Sequence, residues 1–196
     1  MDWVENIVDK VFDKMSQEKI LMKQPDPNMP KEMVDNTIPV DDDWLGWKPI
    51  KSILDESDLD QIEEMIGIKL PMSYRKLLKY KHFYELDIDD HAVNFNSHLP
   101  DKSLQGFKEL YFDFYDPKYI IERGYIHFAE FEDYGLLCFD SNKKSLDNEY
   151  PIVFIDHEDL TKTHFYANNL KELMHADEDS GNRFIIDLNA YYSKQR

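Results

Sequence analysis

Cysteine is almost absent from the chain. Cys138 is the single one in 196 residues, so no internal disulfide can form and a reducing compartment is expected. Long apolar runs are missing as well. No stretch approaches the roughly 18 residues needed to span a bilayer. The opening MDWVENIVDK has neither the basic n-region nor the apolar h-region of a secretory signal. These absences predict a cytoplasmic protein with no membrane partner. Glycine is scarce, with six residues spread along the whole chain, which leaves none to spare for a phosphate-cradling loop. Positive charge is the fourth shortage. Against 40 Asp+Glu stand 23 Lys+Arg, a formal net charge of −17. A polyanion of this kind is repelled by nucleic acid and by anionic lipid, so direct nucleic-acid binding is excluded.

What is present is enough for a core. Hydrophobic residues make up 42% of the chain and aromatics 14%, which argues against disorder. A folded chain of this length hides roughly 70% of the surface its unfolded form exposes. One main domain with an appended element is the expectation. The appended element is clearest. At helical steps Val4, Ile7, Val8, Val11, Phe12 and Met15 fall on one arc, and Asp2 stands where an N-cap belongs. A helix is predicted from residue 3 to about 17. The stretch from Gln24 to Pro39 has four prolines and little periodicity, so it reads as an extended connection. Trp44 and Trp47 are expected to anchor that connection on the body.

Further along, Ser57-Asp-Leu-Asp60 has a capping-box pattern with Asp in place of Glu. The helix it opens points Leu59, Ile62 and Ile66 inward and stops at Gly67. A second helix is predicted from Met72 to about His82, burying Tyr74, Leu77 and Leu78. The texture then changes to short aromatic and β-branched runs. Candidate strands are 92–95, 109–114, 124–128, 135–139 and 151–155. Their short intervals suit antiparallel hairpins, since βαβ crossovers need a dozen or more residues each. Asn168 or Asn169 can cap a helix over 170–175. After Ser180-Gly181, a last helix places Phe184, Ile185, Leu188, Tyr191 and Tyr192 on one face. The fold class is therefore α+β: a single, mainly antiparallel sheet flanked by helices, with an extra N-terminal amphipathic helix.

Catalytic and metal signatures were sought by spacing. His91 and His98 are seven apart, and so are His157 and His164, which flank Asp156, Glu158 and Asp159. No HExxH, Cys/His cluster or calcium loop occurs, and charge runs of this kind mark solvated loops. There is no GxSxG elbow. Cys138 lies within Leu136-Leu-Cys-Phe139, where a small residue belongs to the core. No catalytic residue, metal ligand or cofactor is assigned, and the chain is read as a non-enzyme.

Charge placement says more than any motif. From Phe83 to Asp101 there are five carboxylates and no Lys or Arg. From Phe128 to Asn142 there are four, and from Ser145 to Thr161 five, again with no basic residue. The basic residues Lys69, Arg75, Lys76, Lys79 and Lys81 fall together, with no acid between Glu64 and Glu85. An acidic surface on the sheet half would attract a basic partner, with association sped by about 10- to 1,000-fold at low salt. The plainer reading is that the acidity serves solubility alone.

Ile62-Glu-Glu-Met-Ile-Gly-Ile-Lys-Leu-Pro-Met-Ser-Tyr-Arg-Lys-Leu-Leu78 resembles the leading signature of the SUKH superfamily, the Smi/Knr-like proteins. Gly67, Leu70, Pro71, Tyr74 and Leu78 occupy the signature places. Gly124–Glu130, Tyr134–Asp140 and Tyr150–His157 are similar to the family's successive strands, and Asn168–Met174 to its closing helix. The likeness covers about residues 55–175. It departs at Tyr80-Lys-His-Phe-Tyr-Glu85, where many members carry an Asn-Gly-Gly-like turn, and residues 1–50 lie outside it. The expected division is thus an N-terminal helix and proline-rich connection (1–50) and a Smi/Knr-like domain (51–196).

The resemblance implies a protein that acts by binding. Bacterial members are mostly immunity proteins that neutralise a polymorphic toxin, and fungal members are cell-wall and signalling regulators. The leading expectation is an immunity protein against a basic protein toxin, such as a nuclease. Its candidate contacts are Asp87, Asp89, Asp90, Glu130, Glu132 and Asp133. The alternatives are a regulatory scaffold binding through its N-terminal helix, and a metal-dependent hydrolase using His157 and His164.

Overall fold

The apolar stripe at the N-terminus does become a helix. In the computed structural model, which describes residues 2–18, 22–40, 43–88, 92–143, 147–176 and 179–193, α1 spans Trp3–Glu18. Asp2 caps it, its Oδ1 accepting the Val4 N–H at 3.0 Å. Val4, Val8, Phe12 and Met15 are buried, with Ile7 and Val11 partly so. The stripe packs on α3 (Met72–Tyr80) and β5 (Leu86–Ile88), so it shares the core of the sheet. Burying each such side chain contributes about 1.5–3 kcal/mol.

The proline-rich connection is pinned by Met22, Met29, Met33 and Ile38, all buried. Two residues of it, β1 (Lys23–Gln24), pair with β2 (Leu45–Gly46). Only one of the two tryptophans anchors it. Trp47 is fully buried against Phe12 and Tyr84, whereas Trp44 is 46% exposed. Next, β3 (Ile50–Lys51) pairs with β4 (Lys81–His82). That pairing ends α3 at Tyr80, two residues before the sequence pattern predicted, because residues 81 and 82 are drawn into an extended ladder.

α2 (Glu56–Ile66) opens with a capping box, but Asp55 and Asp58 form it, two residues earlier than the Ser57/Asp60 expectation. Both pairs have the same three-residue spacing, so spacing alone does not separate them. Leu59, Ile62 and Ile66 are buried. Gly67 ends the helix at φ +70°, a left-handed backbone that glycine adopts without strain. α3 starts after Pro71 and borrows its cap from far away: Glu149 accepts the Ser73 N–H at 2.9 Å and its hydroxyl at 2.6 Å.

The rest is a six-stranded antiparallel sheet. β5, β6 (Val93–Phe95), β7 (Tyr125–Phe131), β8 (Gly135–Asp140), β9 (Ile152–Asp156) and β10 (Thr163–Ala167) lie side by side in chain order. The strand expected over 109–114 is instead the end of a helix, α4 (Ser103–Phe112). Its Leu-Tyr-Phe-Asp-Phe run mimics strand alternation. The decisive spacing is Phe107 to Tyr111, one helical turn apart, both buried with rings stacked at 6.0 Å. β5 and β10 went unrecognised in the sequence. α5 (Leu170–Met174) is capped by Asn169, and α6 (Ser180–Ser193) lays Phe184 on Phe131, Phe154 and Tyr166.

The two faces of the sheet differ. One carries Phe95, Ile126, Phe128, Phe131, Leu137, Phe139, Ile152 and Phe154 and receives the α-helices α1–α6. The other has a smaller apolar cluster, Ile120, Leu136, Cys138, Val153 and Ile155, under Tyr115, Tyr119, Tyr125 and Leu160. Cys138 is buried there, as its setting predicted.

Candidate partner-binding site

Register decides what the second face presents. Residues directly opposite in an antiparallel ladder point to the same side. One such row crosses the sheet as Asp87, Asn94, Glu130, Leu136, Ile155 and Thr163. The row is polar over β5–β7 and apolar over β8 and β9. The sequence candidates Asp87 and Glu130 thus share a face, with Asn94 between them.

Beside this row lies an open cleft of about 390 Å³. Glu130, Glu132 and Asp133 line it, from the end of β7 and the hairpin that follows. Tyr84, Glu85, Asn94, Asn96 and Ser97 also line it. Among the described residues its lining holds four carboxylates and no Lys or Arg. Three of the six sequence candidates meet here, and Asp87 lies on the same face. Asp89 and Asp90 lie outside the described residues. Glu85 was missed, although it sits in the first basic-free run.

Local structure fixes these groups. β7 has a bulge at Phe128, where register slips between His127 and Ala129. The bulge turns the buried His127 so that Nε2 lies 3.1 Å from Ala129 O and 3.1 Å from Glu130 Oε1. Nε2 must then carry the proton and donate to both. Gly135, at the start of β8, lets β9 approach closely, since an added Cβ would fall 2.1 Å from Ile155 O. Glu132 takes φ +44°, a left-handed conformation costly for a residue with a Cβ. Elsewhere in the lining, burial pushes the Glu85 carboxyl above its usual range; Asp87 adds to the shift and the Gln24 amide opposes it.

The basic run behaves differently. Lys69, Arg75, Lys76, Lys79 and Lys81 all pair with carboxylates of the helical side: Lys69 with Glu63 at 2.6 Å, Lys76 with Asp2 at 2.6 Å, and Lys81 with Asp9 at 2.6 Å. Arg75 reaches Glu56, Asp60 and Glu63, and Lys79 reaches Glu56. Lys79 and Arg75 hold the Glu56 carboxyl down at about 2. These cations thus pair with Asp2 and with acids of α1 and α2, and none of them lines the cleft.

His91 lies outside the described residues, and of the remaining histidines only His82 and His98 come together. His157 is exposed, and His164 packs on Tyr191 and Tyr192 at 4.7 and 5.7 Å. His98, expected in a solvated loop, is buried against His82. Among the described residues no group of three His, Cys, Asp or Glu side chains could hold a metal ion. No helix among them is long and apolar enough to cross a membrane.

A family model matches residues 53–176, described as the SMI1 / KNR4 family (SUKH-1). The chain belongs to that family. No curated protein matches it. The SUKH-1 match begins just after β3 and ends just after α5, so α1 and the connection precede it and α6 follows it. Its signature residues are structural here. Gly67 ends α2, Tyr74 and Leu78 are buried, and Leu70 donates its N–H to the buried Glu63 at 3.0 Å.

Proposed function

We propose that this SUKH-1 protein is an immunity protein, acting by binding and not by catalysis. Its acidic cleft covers the positive surface of a cognate basic toxin, such as a nuclease. The observation that carries this reading is the meeting of Glu85, Glu130, Glu132 and Asp133, from separate segments, in one open cleft whose described lining has no basic residue. Family membership supports it. A nuclease offers a surface built for a polyanion, and carboxylates in an open cleft compete for the same cations. Desolvated charge pairs of this kind discriminate partners more than isolated surface pairs do.

The scaffold reading, with a partner on the N-terminal helix, gains no support from a helix whose apolar stripe is already covered by α3 and β5. The test is the affinity of the basic toxin proposed as partner for the parent and for a variant with Asp87, Asp89, Asp90, Glu130, Glu132 and Asp133 replaced by alanine. Loss of affinity with an unchanged melting profile is expected. Retained affinity would remove the cleft from the interface.

A further inference from the structure

Two side chains of the cleft wall are held by a segment that the family match does not include. Gln24, in β1, donates from Nε2 to Glu85 Oε1 at 2.6 Å. Two residues on, Asp26 Oδ2 accepts the Tyr84 hydroxyl at 2.8 Å, and the Trp47 ring lies 5.8 Å from the Tyr84 ring. The partners are 61 and 58 residues apart in sequence, so the contacts exist only because the N-terminal connection is folded onto the domain. That connection is fixed independently of them. Met22, Met29, Met33 and Trp47 are buried in the main core, and β1 pairs with β2. Gln24 and Asp26 are therefore delivered to the cleft on an ordered backbone.

We propose that the N-terminal connection is a working wall of the acidic cleft, in which Gln24 is the positioning residue for the Glu85 carboxylate and Asp26 for the Tyr84 ring. This rests on the cleft being the partner-binding site.

The chemistry is that of a carboxylate in a poorly solvated wall. Burial favours the protonated form of Glu85, and the charge of Asp87, two residues on, favours it further. Glu130, Glu132 and Asp133 line the same cleft. Asp26 and Asp101 act on the neighbouring Tyr84, and Lys102 acts on Asp26. Against these, the Gln24 N–H stabilises the ionised form by direct donation. Without that donor, Glu85 would take up a proton at higher pH and the cleft would lose one of its charges. A residue outside the family match would thus set how much charge the cleft presents, and to what pH it persists.

The test uses the full chain with labelled glutamate carboxyls, so that Glu85 is titrated by NMR, alongside calorimetric binding of an oligo-arginine peptide. In Gln24→Met the Glu85 midpoint should move upward. Peptide affinity should fall about two- to fivefold between the parent and variant Glu85 midpoints and converge with the parent at higher pH, where Glu85 is ionised in both. Glu85→Gln should abolish that pH-dependent difference. If Gln24→Met does not fold, Gln24→Asn, one methylene shorter, carries the same test. A Glu85 midpoint that stays put overturns the role of Gln24. Peptide binding indifferent to Glu130→Gln and Glu132→Gln overturns the cleft reading beneath it, and the two failures are read from separate signals.

Discussion

The Nδ1 atoms of His82 and His98 lie 3.1 Å apart in the buried interior. His82 Nε2 accepts the Ile53 N–H at 3.1 Å, so its proton is on Nδ1, where it points at His98 Nδ1 and at His98 O, 3.2 Å away. His98 Nδ1 is then bare, and each vacant nitrogen of the pair faces a donor. A further proton on either ring would break a hydrogen bond and place a cation among Phe83 and Phe107.

Acid should therefore destabilise the fold early. Burial holds both histidines below their ordinary value, and for His98 the neighbouring His82 adds to the effect. In the unfolded chain they titrate near the usual 6.5. Below that value the unfolded state binds more protons, so stability is complete above it and falls with pH, by up to about 1.4 kcal/mol per pH unit for each histidine. Urea unfolding at about pH 7.5 and about pH 5.5 should show this loss, and His98→Leu should reduce the slope. Equal stability at the two pH values would contradict it.

Glu63 should be the most sensitive single position of the helical layer. Its buried carboxylate takes Lys69, Arg75 and the Leu70 N–H together. Burial opposes ionisation, but those three donors outweigh it and hold the carboxyl below its usual range. The stability it contributes is present above the ordinary carboxylate value and lost as pH falls through the depressed one. Glu63→Leu leaves the largely buried Arg75 without its innermost partner and should cost about 3–5 kcal/mol in urea unfolding. Glu56→Ala, at an exposed partner of the same arginine, should cost far less, because solvent screens that pair.

Glu132 should show opposite effects on stability and binding. Its φ of +44° strains the backbone, while its side chain lines the cleft. Glu132→Gly should stabilise the fold by about 0.5–1 kcal/mol and weaken the partner complex. A thermal melt and one binding isotherm check both signs.

Much of the fold was legible in the sequence. The stripe from Val4 to Met15, the Gly67 stop and the Asn169 cap each follow from local rules that tertiary contacts left standing. Other elements were not legible. The α4 helix hid because Leu110-Tyr-Phe-Asp-Phe114 alternates like a strand, and Leu86–Ile88 is a strand only because Val93–Phe95 lies beside it. The cleft was half legible. Basic-free runs pointed to Glu130, Glu132 and Asp133, but pairing Glu85 with them requires knowing which strands are neighbours. Gln24 gave no signal, since an amide in a proline-rich stretch gains its role only from a contact 61 residues away.

The N-terminal helix should prove part of the core. Phe12 is buried with its ring 5.9 Å from Phe83 and 6.3 Å from Trp47. Phe12→Ala should cost about 3–5 kcal/mol by urea unfolding. A cost below about 1 kcal/mol would mean that α1 rests on the domain without supporting it.

The central claim concerns charge at one place, and charge reversal addresses it directly. Affinity for the basic toxin proposed as partner should be measured for the parent, for Glu130→Lys/Asp133→Lys in the cleft, and for Asp13→Lys on α1. The cleft variant should bind at least about tenfold more weakly, chiefly through a faster dissociation rate, while the α1 variant binds like the parent. Equal affinity of parent and cleft variant would contradict the account.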